Sequence, residues 1–272
     1  MLPQLAAFGS ALVLILAVRL AAPKPHGLRL AGVGAAVGLM IGLSMIAGFS
    51  WDGAGPVSRI GHIALGAVLV GAVMDHIDEA WGRWALLTVF SLGCGWASVL
   101  GGLTPQVSPS IAALALSAAV GALWLGLMVR LSALSPHKPT SFVMIIAVAA
   151  GLTLLAAIAR DDMLTRAGLC LLGALFALAL VAAILSLEVN YIAMAPVAAS
   201  ILAIAWALSQ RQPETMVGLP VLALVLFAER TARRIPMPGG RISAYLYLGG
   251  LAGCCTIPIV LAALLVSAGV SA

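Results

Sequence analysis

Residues 141–159 read SFVMIIAVAAGLTLLAAIA, nineteen positions without a charged side chain. A helix of this length is about as long as the roughly 30 Å hydrocarbon core of a bilayer is thick. The stretch lacks the strict alternation of apolar and polar residues that a strand of a membrane barrel needs. It therefore predicts a transmembrane helix, and the rest of the chain repeats the pattern.

The composition of the whole chain is that of a membrane protein. Of its 272 residues, 63% are hydrophobic and 8% are charged, whereas soluble domains carry roughly 25% charged residues. This argues against a soluble enzyme, a disordered protein and a nucleic-acid binder. The four cysteines lie within apolar runs and indicate neither a disulfide framework nor a zinc site. We predict one all-α domain over residues 1–272, with no soluble domain.

The apolar stretches and the charges between them predict a topology. Ten candidate spans lie at about residues 3–20, 30–50, 60–76, 84–103, 109–129, 141–159, 166–187, 190–209, 215–229 and 243–270. The loops after odd-numbered spans hold ten Lys and Arg residues, and the loops after even-numbered spans hold four. Because basic loops stay cytoplasmic, both termini are predicted to be extracytoplasmic. Residues 160–166 are predicted to form an outer loop, but they carry two basic and two acidic side chains. Of the outer loops, this one agrees least well with the rule that basic loops stay cytoplasmic.

Two local features predict details of helix packing. Gly34, Gly38 and Gly42 are spaced four residues apart, so they share one helix face and allow a close helix contact. Pro220 lacks the N–H that an internal helix position needs, and it predicts an interruption of the ninth span.

Three motifs follow one another along the chain. Residues 24–33, KPHGLRLAGV, run directly into the second span, and the third span ends in GAVMDH at residues 71–76. The ninth span opens with Gly218-Leu219-Pro220 and ends in the basic run ERTARRIP at residues 229–236. Their order, spacing and ten-span topology resemble the polyprenyl-phosphate N-acetylhexosamine-1-phosphate transferase superfamily. That superfamily includes phospho-N-acetylmuramoyl-pentapeptide transferase and the undecaprenyl-phosphate N-acetylglucosamine-1-phosphate transferases.

The resemblance implies a multi-pass protein of the bacterial inner membrane. It also implies a cytoplasmic site in which Mg²⁺ assists transfer of a sugar phosphate from a UDP-sugar to polyprenyl phosphate. The sequence departs from this pattern at most catalytic motifs. The family's Asp-Asp pair is Met74-Asp75 here, and Met194 stands at the position of a late magnesium-binding Asp. Asn190 is the chain's one asparagine, so an Asn-x-x-Asn motif is impossible, and the last inner loop lacks the family's histidine cluster.

These losses matter because Mg²⁺ requires hard oxygen ligands, and a thioether supplies neither charge nor a hard donor. The acidic side chains that remain as candidates for catalysis are Asp75 and Glu188, and those for a rebuilt metal site are Asp75, Asp78, Glu79 and Glu188. Alternatively, residues 75–79 form a solvated turn at the membrane interface, and Glu188 pairs with an inner-loop arginine.

The last inner loop is the candidate for binding a lipid phosphate or diphosphate, because arginine forms paired hydrogen bonds with phosphate. Its basic residues are Arg230, Arg233, Arg234 and Arg241. The alternative is that these arginines only satisfy the requirement for basic cytoplasmic loops.

Three functions follow as hypotheses. The first is a catalytically degenerate relative of the transferases, without a cofactor, which keeps the scaffold and binds polyprenyl phosphate. Its partners are then the bilayer and either a second copy of the chain or an active enzyme of envelope biosynthesis. The second is an active transferase with a rebuilt Mg²⁺ site. The third is a small lipid or solute transporter, although the spans hold almost no ionisable residues for an ion path.

Overall fold

Apolar runs of the sequence become helices throughout the described chain. The computed structural model describes residues 2–21, 26–48, 55–77, 79–100, 110–134, 138–185, 191–232, 234 and 243–270. Over these ranges the chain is helical and contains no strand, which confirms the all-α prediction. The long helices are α1 (Leu2–Ala21), α2 (His26–Ala47), α3 (Pro56–Met74), α4 (Ala80–Leu100), α5 (Ile111–Leu134), α6 (Lys138–Ile158), α7 (Asp162–Leu185) and α8 (Tyr191–Arg211).

The chain after α8 forms an interrupted helix, residues 213–232, followed by one long helix. The interrupted helix consists of a 3-10 turn (Pro213–Val217), α9 (Gly218–Ala223), a second 3-10 turn (Leu224–Phe227) and α10 (Ala228–Ala232). Pro220 lies in the first turn of α9, so the predicted interruption of this span is confirmed. The last helix is α11 (Ser243–Val270).

The helices define a polytopic membrane protein. Among the described residues, seven stretches are long and apolar enough to cross a bilayer: Leu2–Leu20, Val57–Met74, Thr140–Ile158, Asp162–Ile184, Tyr191–Arg211, Pro213–Ala232 and Leu246–Val270. Two shorter apolar stretches, Val33–Ala47 and Ile111–Leu127, lie within α2 and α5. Each of the ten spans expected from the sequence overlaps one of the helical segments.

Helix α8 is the centre of the bundle. Within its membrane-length stretch 83% of the residues are buried, against 17% in α1 and 22% in α11. Helices α2, α3, α5 and α7 all pack against it. Because α8 is surrounded, its two ends are where side chains from several helices can meet.

The glycine face of α2 packs directly on α1, as the sequence predicts. A Cβ built on Gly38 would lie 2.5 Å from the Cβ of Ala11, and one built on Gly34 would lie 2.7 Å from the backbone nitrogen of Ile15. A Cβ on Gly42 would meet the Sγ of Cys170, in α7, at 2.9 Å. The absence of side chains on this face therefore joins α1, α2 and α7 into one close-packed unit.

The bundle has two chemically different ends. At one end, Asp75 follows α3 and contacts the start of α8. At the other, Arg211 at the end of α8 contacts Asp161, which follows α6. We name these the Asp75 end and the Asp161 end. Helices α3 and α8 therefore run antiparallel.

Candidate functional site

Asp75 joins the end of α3 to the beginning of α8. Its Oδ1 accepts a hydrogen bond from the backbone N–H of Tyr191 and its Oδ2 one from the backbone N–H of Ile192, each at 3.2 Å. The first N–H groups of a helix have no partner within the helix, and the helix dipole favours a negative charge there. The carboxylate therefore acts as a cap supplied by a residue 116 positions away along the chain.

Gly71 makes this cap possible. A Cβ built on Gly71 would lie 2.7 Å from both the carbonyl oxygen of Tyr191 and the Cα of Ile192. Any larger residue would push the end of α3 away from the start of α8. The approach of Asp75 to α8 thus depends on a glycine one helical turn earlier.

Of the other acidic candidates for a metal site, the structure describes Glu79. His76 and Glu79 are exposed, and the Nδ1 of His76 lies 2.8 Å from the carbonyl oxygen of Ala72. Asp78 and Glu188 lie outside the described residues, so the approach of Glu188 to Asp75 remains a prediction. Within the described ranges, no three His, Cys, Asp or Glu side chains form a group that could hold a metal ion.

The basic loop is described at two of its four arginines. Arg230 and Arg234 are both exposed, and the backbone N–H of Arg234 donates to the carbonyl of Thr231 at 3.0 Å. Arg233 and Arg241 lie outside the described residues. The phosphate-binding role of the four arginines therefore stays a prediction.

A cluster that the sequence did not predict consists of Arg130, Phe227, Glu229 and Arg230, and we name it the basic cluster. The Nε of Arg130 donates to the carbonyl of Leu226 at 2.9 Å, and its Nη2 lies 3.9 Å from the Oε2 of the buried Glu229. The ring of Phe227 lies near two cations, since the guanidinium carbons of Arg130 and Arg230 are 5.3 and 5.8 Å from its centroid. Both distances are within the range of cation–π attraction.

Little in the sequence indicates that these residues are neighbours. Arg130 ends an apolar run in α5, and Glu229 is the single acid of the run at residues 229–236. Only the packing of α5 against the interrupted helix, across 96 residues of sequence, makes them neighbours. As a result, Glu229 is buried beside Arg130, whereas Arg230 is exposed.

At the opposite end, a buried acid is paired with a partly exposed base. The Oδ2 of Asp161 lies 2.8 Å from the Nε of Arg211 as an ion pair without a well-aligned hydrogen bond. Its Oδ1 accepts the backbone N–H of Leu164 at 3.0 Å and so caps α7. Arg160, just before it, has a positive φ of 55°, in the left-handed region that non-glycine residues rarely adopt.

Fold and site together define a helical, polytopic membrane protein with an acidic helix cap at each end of its bundle, an ion pair at the Asp161 end, and two arginines around Phe227. No protein-family model matches the chain, and a search of curated proteins finds no match either.

Proposed function

We propose that the protein is a non-catalytic relative of the polyprenyl-phosphate sugar-1-phosphate transferases, which binds a lipid phosphate at the Asp75 end. In this proposal the Asp75 end faces the cytoplasm, both termini are extracytoplasmic, and the bilayer is the bacterial inner membrane. The excess of Lys and Arg in the loops after odd-numbered spans supports this orientation.

The observation that carries the proposal is the hydrogen bonding of Asp75. This is the carboxylate that matches the family's Asp-Asp pair, and each of its oxygens accepts a backbone N–H of α8. A catalytic magnesium ion needs carboxylate oxygens directed at the ion and its phosphate ligands. An Asp engaged as a helix cap is consistent with a scaffold that has kept its shape after losing Mg²⁺-dependent transfer.

The binding part of the proposal rests on how the charges of the basic cluster are distributed. Glu229 is buried beside Arg130, so the negative charge of the cluster is directed into the protein. Arg230 is exposed, and its guanidinium carbon lies 5.8 Å from the centroid of the Phe227 ring. A guanidinium group in that position supplies charge-assisted hydrogen bonds to a phosphate at the membrane surface.

The test uses the full-length protein in nanodiscs of phosphatidylcholine. UMP release is measured with a UDP-N-acetylhexosamine, undecaprenyl phosphate and Mg²⁺, and binding of undecaprenyl phosphate is measured by native mass spectrometry. We expect binding without UMP release. Arg230→Gln should weaken binding about tenfold, since a charge-assisted hydrogen bond contributes roughly 1.5–3 kcal/mol.

The matched control is Arg166→Gln, which removes another exposed arginine, from the first turns of α7 near the Asp161 end. It should leave binding unchanged. If both variants lost the same amount of binding affinity, the arginines of the basic loop would only set the orientation of the protein in the membrane. UMP release that is abolished in Asp75→Asn would establish an active transferase with a rebuilt metal site instead.

A further inference from the structure

A cavity of about 410 Å³ opens between α3, α4 and α8 near the Asp161 end. Ligand sites in proteins commonly measure about 300–1,000 Å³. The lining of this cavity follows α8 from Arg211, at the end of the helix, inward to Ala203, a distance of about 12 Å or two helical turns. The cavity is therefore a second site, separate from the Asp75 end and independent of the proposed function.

The inner part of the cavity is apolar. Ile60, Ile63, Ala203 and Ala207 line it and are buried. A water molecule inside a protein needs roughly two to four hydrogen-bonding partners, and these four side chains offer none. This part of the cavity is therefore suited to hydrocarbon and not to water.

Three lining residues with polar groups already have partners within the protein. The indole Nε1 of Trp206 donates to the carbonyl of Ser98 at 2.9 Å, so the ring offers an apolar face to an occupant. Arg211 is paired with Asp161 at 2.8 Å, and Arg59 also has an interaction partner. These three residues therefore do not require an occupant that is charged or polar.

We propose that this cavity holds one acyl chain of a bilayer phospholipid, whose head group stays at the membrane surface of the Asp161 end. A void leaves the atoms of its walls without packing contacts, and a hydrocarbon chain restores those contacts. The surrounding bilayer supplies such chains. A nucleotide or a sugar is disfavoured, because its polar groups would lose their hydrogen bonds to water and find no replacement among the apolar walls.

The size of the cavity admits a single chain. Its volume corresponds to roughly ten to fifteen water-sized groups, and a methylene group is of similar size. One acyl chain therefore fits, and a second chain of the same lipid stays in the bilayer. Gln210 and Arg211 are exposed at the outer end of the cavity, which is the level of the head group in this proposal.

The experiment uses the full-length protein in phosphatidylcholine nanodiscs, in which a small fraction of the lipid carries a diazirine on one acyl chain. After irradiation, the labelled residues are identified by mass spectrometry. Leu123, exposed on α5, should be labelled by the surrounding bilayer, and Ile145, buried in α6, should not. We expect labels on Ile63 and Ala203 as well, although both are buried. Labels confined to exposed residues would overturn the proposal.

Two variants change the cavity in opposite directions. Ala203→Leu fills its inner part and should abolish labelling of Ile63, whereas Ile63→Ala enlarges it and should increase labelling of Ala203. Ala122→Leu makes the first change at an exposed position of α5 that does not line the cavity, and it should leave both labels unchanged.

Size-exclusion chromatography verifies that each variant is folded, and Ile63→Ala keeps the test decisive if Ala203→Leu fails to fold. Labelling of Ile63 that is equal in wild type and folded Ala203→Leu, or labelling of Ala203 that does not rise in Ile63→Ala, would overturn the proposal. Because labelling is read at the cavity itself, its failure is distinguishable from loss of undecaprenyl phosphate binding at Arg230.

Discussion

The carboxylate of Asp75 accepts the backbone N–H of Tyr191 at 3.2 Å, and this contact links the end of α3 to the start of the most buried helix. Within hydrocarbon an unpartnered N–H group costs several kcal/mol, so helix ends near the membrane need partners. The same residue is one of the two, with Glu188, that the sequence marks as candidate catalytic carboxylates. Its structural role is thus sufficient to explain a carboxylate at this position.

Removal of the cap should destabilise the protein. Asp75→Ala should lower the free energy of unfolding by about 1–2 kcal/mol, as measured for other N-cap residues. Asp75→Asn keeps one side-chain acceptor and should lose less. The measurement is reversible unfolding in mixed detergent micelles. Glu79→Ala removes a neighbouring exposed acid and should change little; an equal loss in this control would show that Asp75 acts through overall charge.

The ion pair at the Asp161 end predicts an unequal response to removal of its two partners. The side chain of Asp161 is 2% exposed and that of Arg211 is 46% exposed. Arg211→Gln leaves a buried carboxylate without its counterion, for which the typical cost is about 3–5 kcal/mol. Asp161→Asn leaves an arginine that water can solvate, and it keeps an acceptor for the N–H of Leu164.

We therefore expect Arg211→Gln to reduce the free energy of unfolding more than Asp161→Asn does. The measurement is again unfolding in mixed micelles, at a fixed pH and salt concentration. The controls are Asp162→Asn and Arg166→Gln, whose native side chains are exposed. Neither should lower the free energy of unfolding by more than a few tenths of a kcal/mol. Equal losses for the two partners of the pair would contradict the asymmetry of burial on which the expectation rests.

Two glycines of α4 should respond to alanine with opposite signs. A Cβ on Gly95 would collide with the carbonyl oxygen of Ser117 and lie 2.7 Å from the backbone nitrogen of Gly121, in α5. Gly95→Ala should cost about 1–3 kcal/mol, because backbone atoms cannot move aside. A Cβ on Gly93 meets no atom of the described residues within 4 Å, so Gly93→Ala should be neutral or stabilising by up to about 1 kcal/mol.

Thermal unfolding of the two variants in the same detergent provides the comparison. A loss of stability in Gly93→Ala as large as that in Gly95→Ala would mean that the two faces of α4 are equally crowded. That result would contradict the packing of α4 on α5.

The sequence predicts the features of this fold that depend on local composition. Residues 141–159 fall almost entirely within α6, because uninterrupted apolar length is enough to specify a membrane helix. The face of Gly34, Gly38 and Gly42 is confirmed because helical periodicity alone brings the three together. The interruption near Pro220 is confirmed because proline acts on its own turn.

Contacts between distant parts of the chain were not predictable in the same way. The partner of Asp75 lies 116 residues away, and that of Arg130 lies 96 residues away. Charge counting could place Arg211 and Asp161 in loops on the same side, but not pair them. Such pairs depend on which helices are neighbours, and the apolar sequences of the helices carry little information about that.

Glu229→Gln should tighten the binding of undecaprenyl phosphate, if the basic cluster binds it as we propose. The substitution removes the negative charge 3.9 Å from Arg130 and keeps the size of the side chain. One additional net positive charge near a membrane surface is worth about 1 kcal/mol, or roughly a fivefold gain in affinity. Glu214→Gln, near the Asp161 end, is the control and should leave the affinity unchanged. Native mass spectrometry in phosphatidylcholine nanodiscs measures both variants; weaker binding by Glu229→Gln, with unchanged stability, would contradict an electrostatic role for this cluster.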